Sequence, residues 1–206
     1  HHLWRLRQRL VFKWRRPWRP EWLPFSCALQ LESSAHPHVP AERGGEFLAA
    51  TTGGAEIEVL NWLHATVCLL KPAAVLETGT FDGLGTIALA AGCRANGSGH
   101  VHTLEIDPLN CAAARKRLAR HGLATWATVH CTDSREFLKT TSQHFDLGFF
   151  DSLCQLRADE FEICLHRGLL GGPAVFHDTS PRRCESYPDD PPPAIHTTYR
   201  HRLLEL

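Results

Sequence analysis

The most informative residues of the chain are Val75-Leu76-Glu77-Thr78-Gly79-Thr80-Phe81-Asp82-Gly83-Leu84-Gly85-Thr86. An apolar run ends at an acidic residue, three glycines follow within seven residues, and an apolar run with helical character begins at Ile87. This order predicts a buried strand, a tight glycine turn and a helix whose N-terminus faces a ligand. The glycine spacing differs from the dinucleotide fingerprint G-x-G-x-x-G, and the absence of a lysine after the turn argues against a triphosphate-binding loop.

Four further segments with strand character follow, and helical sequence separates them. The second predicted strand ends at Glu105, and Asp107-Pro108 then predicts a helix start with Asp107 as its N-cap. The remaining predicted strands span residues 128–134, 145–152 and 173–180. This alternation predicts an α/β fold with a doubly wound, mostly parallel sheet, which binds ligands beyond the carboxyl ends of its strands. The polar residues expected at that edge are Glu77, Glu105, Asp133, Asp151, His177 and Asp178.

The glycine turn, together with the acid at the end of the second strand, resembles the first motifs of class I S-adenosylmethionine-dependent methyltransferases. The resemblance covers about residues 45–180. It implies that the turn binds the amino-acid end of S-adenosylmethionine, that Glu105 binds the ribose, and that Asp133 and Ser134 recognise the adenine. The cofactor-binding residues that it implies are Glu77, Gly79, Thr80, Phe81, Gly83, Thr86, Glu105, Ile106, Asp133, Ser134 and Asp151.

The residues after the fourth and fifth strands concern the chemistry of the reaction. Methyl transfer is an in-line displacement, and an oxygen acceptor must be deprotonated or nearly so. Here the chain resembles metal-dependent small-molecule O-methyltransferases of the catechol type and of the sugar- and antibiotic-tailoring type. The resemblance implies that Asp151, His177 and Asp178 bind Mg²⁺ or another divalent metal, which would lower the pKa of a hydroxyl.

Two departures from the catechol type leave other interpretations open. Cys154 stands where that type has a lysine base, and His177 replaces a carboxylate. His177 could therefore act as the general base, because the pKa of imidazole lies near neutrality; Asp151 and His177 are the candidate catalytic residues. Alternatively, Asp178 caps the next turn and His177 packs without a catalytic role.

The N-terminal residues differ in composition from the rest of the chain. The net charge is zero, but residues 1–25 carry seven Lys/Arg against Glu21, a local charge of +6 that leaves −6 for the remainder. Nucleic acid is therefore not expected as the substrate of the domain. Apolar residues recur at helical spacing among the arginines of residues 3–22. This segment could make a peripheral membrane contact or bind an acidic partner, or it could pack on the domain or on a second copy in a homodimer.

We divide the chain into a basic, Trp-rich arm and linker at residues 1–44 and an S-adenosylmethionine-binding methyltransferase domain at residues 45–206. A helix is expected over Ala55–Leu70, before the first strand, and another over Thr197–Leu206. The residues after the fifth strand leave nothing for the antiparallel hairpin that usually closes the sheet of this family. We therefore expect either a fragment or a sheet that is completed differently.

The expected function is S-adenosylmethionine-dependent O-methylation of a hydroxylated small molecule, with divalent-metal assistance. The alternative is a non-catalytic cofactor-binding module that the basic arm tethers to a membrane or an assembly. No stretch has the length of a membrane span, and the eight cysteines form no C-x-x-C pair. We expect a cytoplasmic protein in which Cys111, Cys131 and Cys164 are reduced and buried.

Overall fold

The computed structural model describes residues 34–35, 48–49, 54–179 and 194–206. The basic arm at residues 3–22 and the proline-rich segment at 181–193 lie outside the described residues. The elements are β1 (Ser34–Ala35), β2 (Leu48–Ala49), α1 (Ile57–Leu70), β3 (Ala74–Thr78), α2 (Leu84–Asn96), β4 (His100–Glu105), α3 (Pro108–Arg120), β5 (Ala127–Cys131), α4 (Ser134–Thr140), β6 (Leu147–Phe150), α5 (Cys154–His166), β7 (Ala174–Phe176) and α6 (Ala194–Glu205).

The five predicted strands form one parallel sheet in the order β5-β4-β3-β6-β7. The prediction of a doubly wound α/β fold is therefore confirmed. The chain winds outward from β3 to β5, returns to the centre, and winds outward again through β6 and β7. Such a reversal opens a crevice between the carboxyl ends of the two central strands, here β3 and β6. The carboxyl ends of β3 and β6, on either side of this crevice, both carry predicted site residues.

The sheet is covered on both faces, and all five residues of β3 are buried as its central position requires. One face packs with α1, α2 and α3, and the other packs with α4 and α5. Gly92 allows α1 and α2 to approach closely, because a Cβ at this position would lie 2.7 Å from the Cβ of Val67. The two faces together hold β3 rigidly beneath the glycine turn.

The local helix signals are confirmed with small shifts in their bounds. Asp107 is the N-cap of α3, and its carboxylate accepts a hydrogen bond from the backbone N–H of Leu109 at 2.7 Å. The helix predicted over Ala55–Leu70 begins at Ile57, and the helix predicted over Thr197–Leu206 begins earlier, at Ala194. The last two strands are shorter than predicted because their polar ends leave the sheet and turn into the loops of the site.

The expectation of buried thiols is correct for Cys111 and Cys164 and wrong for Cys131. Cys131 ends β5, which is an edge strand of the sheet. An edge strand lacks a neighbour on one side, so side chains near its end remain accessible to solvent. All three cysteines are free thiols.

Candidate functional site

The glycine turn between β3 and α2 is shaped by close contact with the rest of the protein. Gly79 has a φ of +82°, and a Cβ at this position would lie 2.3 Å from the carbonyl oxygen of Asp151. Gly83 has a φ of +86°, and its Cβ would lie 3.0 Å from the Cβ of Ala114. Both positions therefore require glycine. The turn rests directly on the end of β6, which brings it beside Asp151.

Glu77 lies beneath this turn and is only 1% exposed. Thr86 donates a hydrogen bond to its carboxylate, and a Cβ at Gly85 would lie 2.4 Å from its Oε1. Burial raises the pKa of Glu77 to about 8. Glu77 and Thr86 therefore form a buried pair that supports the turn from below, and their cofactor contacts stay a prediction.

Glu105 joins the end of β4 to the glycine turn. Its Oε2 accepts a hydrogen bond from the backbone N–H of Phe81 at 2.8 Å, and its Oε1 accepts one from the backbone N–H of Asp107 at 2.9 Å. Each carboxylate oxygen can accept a further bond. The side chains of Phe81 and of Ile106, the residue that follows Glu105, are 41% and 67% exposed. A carboxylate flanked by exposed apolar side chains suits a ribose with an attached base.

Thr80 connects the glycine turn to β4. Its hydroxyl lies 2.5 Å from that of Thr103 on β4, and both side chains are buried. Thr80 thereby anchors the turn to the sheet. The predicted contact of Thr80 with the cofactor stays a prediction.

The two residues predicted to recognise adenine have structural partners. Asp133 is the N-cap of α4 and forms an ion pair with Arg135 at 3.2 Å, which lowers its pKa. Ser134 donates a hydrogen bond to Glu160, which is fully buried on α5 and also accepts bonds from Thr78 and Ser152, each at 2.8 Å. Glu160 thus ties three strand ends together. The sequence contains no signal that separates it from its acidic neighbours on the same helix.

The polar residues after β6 and β7 meet at His177. We call Glu56, Asp151, Arg157, His177 and Asp178 the His177 group. Nδ1 of His177 lies 2.9 Å from Oδ1 of Asp151 and 3.3 Å from Oδ2 of Asp178, and its Nε2 lies 2.7 Å from Oε2 of Glu56. Burial disfavours a charge on the imidazole, but the three carboxylates outweigh burial and raise the pKa of His177 well above its usual value. Both ring nitrogens therefore face acids.

Arg157 holds this group from the side of α5 and is only 4% exposed. Its guanidinium donates to Oδ1 of Asp151 at 2.9 Å, to the carbonyl oxygen of His177 at 2.7 Å and to that of Ser152 at 2.6 Å. A longer ion pair reaches Asp178 at 3.4 Å. A single buried guanidinium thus joins the ends of β6 and β7.

Glu56, like Arg157, is a member of the group that the sequence analysis did not predict. It occupies the N-cap position of α1 but makes no side-chain capping bond, and its carboxylate turns to His177 instead. Glutamate is not a favoured N-cap residue. Its position at the start of the predicted helix was therefore the one sequence signal that pointed to a role other than capping. The contact joins residues 121 positions apart in the chain, which no local pattern could reveal.

Within the His177 group, three residues could each offer one ligand atom to a metal. These atoms of Glu56, His177 and Asp178 all lie within 4.8 Å of one another. Carboxylate oxygens suit Mg²⁺ or Mn²⁺, and an imidazole also suits borderline transition metals. These residues therefore fit a divalent cation. Asp151, which the sequence analysis placed in the metal site, is not one of these three residues, and its predicted role as a ligand stays a prediction.

Comparison with known proteins identifies the family. The family model described as "Methyltransferase domain" matches residues 76–179, from the third residue of β3 to Thr179, which is half of the chain. The chain belongs to this methyltransferase family. The match covers the glycine turn and includes Asp151, Arg157, His177 and Asp178 of the His177 group, whereas Glu56 precedes it. A search of curated proteins finds no match.

Solved structures show the same fold. The methyltransferase domain is similar to cofactor-bound Rv0187 from MTB, with 26% identity, a TM-score of 0.63, and coverage of 75% of this chain and 69% of that one. It is similar to the SAM-bound O-methyltransferase TomG from Streptomyces achromogenes, with 23% identity, a TM-score of 0.61 and coverage of 74% and 70%.

A third similar structure is the SAH-bound methyltransferase PaMTH1 from Podospora anserina, with 23% identity and a TM-score of 0.59. That match covers 72% of this chain and 65% of the Podospora protein, so the chain spans somewhat less than two thirds of that relative's length. Among the described residues, no helix is both long and apolar enough to cross a bilayer.

Proposed function

We propose that this methyltransferase domain transfers a methyl group from S-adenosylmethionine to a hydroxyl oxygen of a small molecule. The observation that carries the proposal is the contact between the glycine turn and the end of β6. The Cα of Gly79 packs so closely on Asp151 that no side chain fits between them. A cofactor on the turn would therefore lie beside the carboxylates and the imidazole that adjoin Asp151, where an acceptor hydroxyl needs them.

On the cofactor side, the residues of the chain bind and orient. Glu105 would accept hydrogen bonds from the two ribose hydroxyls while it continues to hold the backbone of Phe81. Ile106 would cover one face of the adenine, and Asp133 and Ser134 would lie at its edge. When bound, S-adenosylmethionine supplies an electrophilic methyl group on a sulfonium. Alignment of donor and acceptor supplies most of the rate enhancement in such a displacement.

On the acceptor side, the structure favours one of the two mechanisms that the sequence left open. Carboxylates face both ring nitrogens of His177 and raise its pKa well above its usual value, which favours the charged imidazole. A charged imidazole cannot take a proton. We therefore favour a divalent cation, which carboxylates beside His177 would hold, as the agent that would lower the pKa of the acceptor hydroxyl. The acids of the group would bind and orient the hydroxyl.

Two measurements test the proposal in sequence. Calorimetry with S-adenosylhomocysteine should show binding to the full chain. Transfer of a labelled methyl group to a panel of diols, catechols and hydroxylated sugars should then occur, and EDTA should suppress it. Binding without transfer to any acceptor would instead support the non-catalytic module, whereas absence of binding would contradict the proposal at its first step.

The partners of the protein are proposed on the same footing. We propose a hydroxylated small-molecule acceptor rather than nucleic acid, a cytoplasmic location, and a basic arm at residues 3–22 that contacts an anionic membrane or a second copy of the chain. Removal of the residues before Ala41 should leave affinity for S-adenosylhomocysteine unchanged and should reduce either liposome association or oligomer size. Loss of cofactor binding in a folded truncated chain would show that the arm forms part of the pocket.

A further inference from the structure

Two cysteines outside the His177 group meet where β5 ends, one on α3 and one on the strand itself. We propose that Cys111 and Cys131 form a redox-sensitive pair, which a peroxide converts into a disulfide, and that this disulfide weakens binding of the cofactor at Glu105. The effect on cofactor binding rests on the proposed function, whereas formation of the disulfide does not.

The alternation of side chains along β5 places Cys131 on the face of the sheet that packs with α3. Ala127 and Val129 belong to the same buried cluster as Cys111. Successive side chains of a strand point to opposite faces, so Cys131 continues the row of Ala127 and Val129. Because α3 follows the end of β4, its first turns lie at the carboxyl edge of the sheet, where β5 also ends. Cys111 and Cys131 therefore meet at this edge.

The carbonyl oxygen of Glu105 connects the two positions. It accepts a hydrogen bond from Sγ of Cys111 at 3.5 Å and another from the backbone N–H of Thr132 at 2.8 Å. Cys131, which precedes Thr132, is also the residue that pairs with Glu105 between β4 and β5. The two thiols lie within hydrogen-bonding reach of one another. A disulfide brings its sulfurs to about 2.05 Å, and the exposed side chain of Cys131 has room to rotate towards Cys111.

The two thiols have different environments and therefore different roles. Cys131 is exposed, whereas Cys111 is fully buried. Burial, and after it the neighbouring Cys131, raises the pKa of the Cys111 thiol. An oxidant in solution therefore reaches Cys131 first, since exposure is one of the conditions for thiol oxidation. Cys111 then acts as the resolving thiol.

The reaction with hydrogen peroxide proceeds in two balanced steps. The sulfur of Cys131 attacks one peroxide oxygen, the O–O bond breaks, and a sulfenic acid and one water are formed. The sulfur of Cys111 then attacks the sulfenic sulfur, so an S–S bond forms and the S–O bond breaks. The departing hydroxide takes the proton of Cys111 and leaves as a second water. Two thiols are thereby oxidised by one peroxide, and the proximity of Cys111 compensates for its raised pKa.

The disulfide would act on the cofactor site through the ends of β4 and β5. A disulfide sulfur carries no hydrogen, so Cys111 could no longer donate to the carbonyl oxygen of Glu105. The new bond would also draw Cys131 towards α3, together with Asp133, which follows two residues later. Glu105 and Asp133 are the residues proposed to bind the ribose and the adenine. We therefore expect oxidation to weaken binding of S-adenosylhomocysteine by about 5-fold or more.

Mass spectrometry tests formation of the disulfide. The reduced full chain is treated with hydrogen peroxide, unfolded, alkylated at its remaining thiols and digested. We expect a peptide that links Cys111 to Cys131 and that dithiothreitol separates. Cys68 and Cys93 are the matched comparison, because they are neighbours in which the more accessible thiol, that of Cys68, is still partly buried and has a raised pKa. Both should remain alkylated.

Absence of the link between Cys111 and Cys131, or preferential linkage of Cys131 to any other cysteine, would overturn the inference. A link between Cys68 and Cys93 that forms as fast would also overturn it, because exposure of Cys131 would then confer no selectivity.

Calorimetry with S-adenosylhomocysteine tests the effect on the cofactor site. The affinity of the parent chain should fall on oxidation and recover after treatment with dithiothreitol. Cys131→Ser is the control, because it replaces an exposed side chain and cannot form the link; peroxide should leave its affinity unchanged. A linked chain with the affinity of the reduced chain would overturn the coupling to Glu105. A reduced chain that forms the link but does not bind S-adenosylhomocysteine would contradict the proposed function and the coupling, and would confirm the disulfide.

Discussion

The cofactor side and the acceptor side of the site are built in different ways. On the cofactor side, Glu105 binds backbone N–H groups of its own loop and of the adjacent turn, and glycines allow the chain to bend there. On the acceptor side, Glu56, Asp151, Arg157 and His177 come from four separate segments and bind one another mainly through side chains. The first side depends on local backbone geometry, and the second depends on the packing of distant elements. Substitutions should therefore affect the two sides differently.

The largest effect is expected at Arg157. Arg157→Met would leave the acids beside it buried without their guanidinium and should destabilise the fold by about 3–5 kcal/mol. Arg202→Met is the control, because Arg202 pairs with Asp159 and Glu162 at a site where its side chain is 41% exposed; it should cost about 0–1 kcal/mol. Urea unfolding of both variants measures the difference, and equal losses would show that the acceptor side does not depend on Arg157.

A glycine comparison tests the turn itself. Gly79→Ala combines an unfavourable φ with a Cβ 2.3 Å from the carbonyl oxygen of Asp151, whereas Gly97→Ala has a similar φ and no atom within 4 Å. The φ alone costs about 1–2 kcal/mol, so we expect Gly79→Ala to lose at least twice as much stability as Gly97→Ala. It should also weaken binding of S-adenosylhomocysteine, which calorimetry would detect. Similar stabilities of the two variants would mean that the turn can move away from β6.

A comparison of Glu105→Ala with Glu56→Gln tests whether the cofactor side and the acceptor side act independently. Glu105→Ala should weaken binding of S-adenosylhomocysteine by roughly 1.5–3 kcal/mol, because the ribose hydroxyls lose a charged acceptor. Glu56→Gln, which alters only the acceptor side, should leave that affinity unchanged. Calorimetry on both variants provides the test. Unchanged affinity in Glu105→Ala would remove Glu105 from the cofactor site, and a loss in Glu56→Gln would show that the two sides are energetically coupled.

The smallest expected effect concerns His102, which lies on β4. Burial and the neighbouring His100 and His130 lower the pKa of His102 to about 4, in contrast to the raised pKa of His177. Because the unfolded chain binds a proton near pH 6.5 and the folded chain resists it, His102 should reduce stability as the pH falls from 6.5 towards 4.

Replacement of this residue measures its share of that decline. In His102→Gln, the free energy of unfolding from urea titrations at pH 7.5, 6.0 and 5.0 should fall less steeply than that of the parent. The difference should be on the order of 1 kcal/mol at most, because His102 is partly exposed. His144→Gln, which replaces an exposed histidine before β6, is the control and should follow the parent. An identical slope in His102→Gln would show that the other histidines carry the pH dependence.

Much of the fold follows from local sequence signals. The order of strands and helices follows from alternating apolar runs, and the cap at Asp107 follows from its position before a proline. The need for glycine at positions 79 and 83 was visible as a pattern, although the structure assigns it to contacts with Asp151 and Ala114. Strand ends were less predictable because polar residues that continue an apolar run can either stay in the sheet or leave it.

The sequence by itself determined the doubly wound sheet, the glycine turn and the edge at which Glu105, Asp151 and His177 gather, because periodicity and backbone conformation act over a few neighbouring residues. Only the tertiary structure decided that Glu56 and Arg157 join His177 and Asp151. These contacts connect the start of α1, the interior of α5 and two strand ends. Which distant side chains meet depends on how helices pack against the sheet, and packing of this kind leaves no periodic trace in the chain.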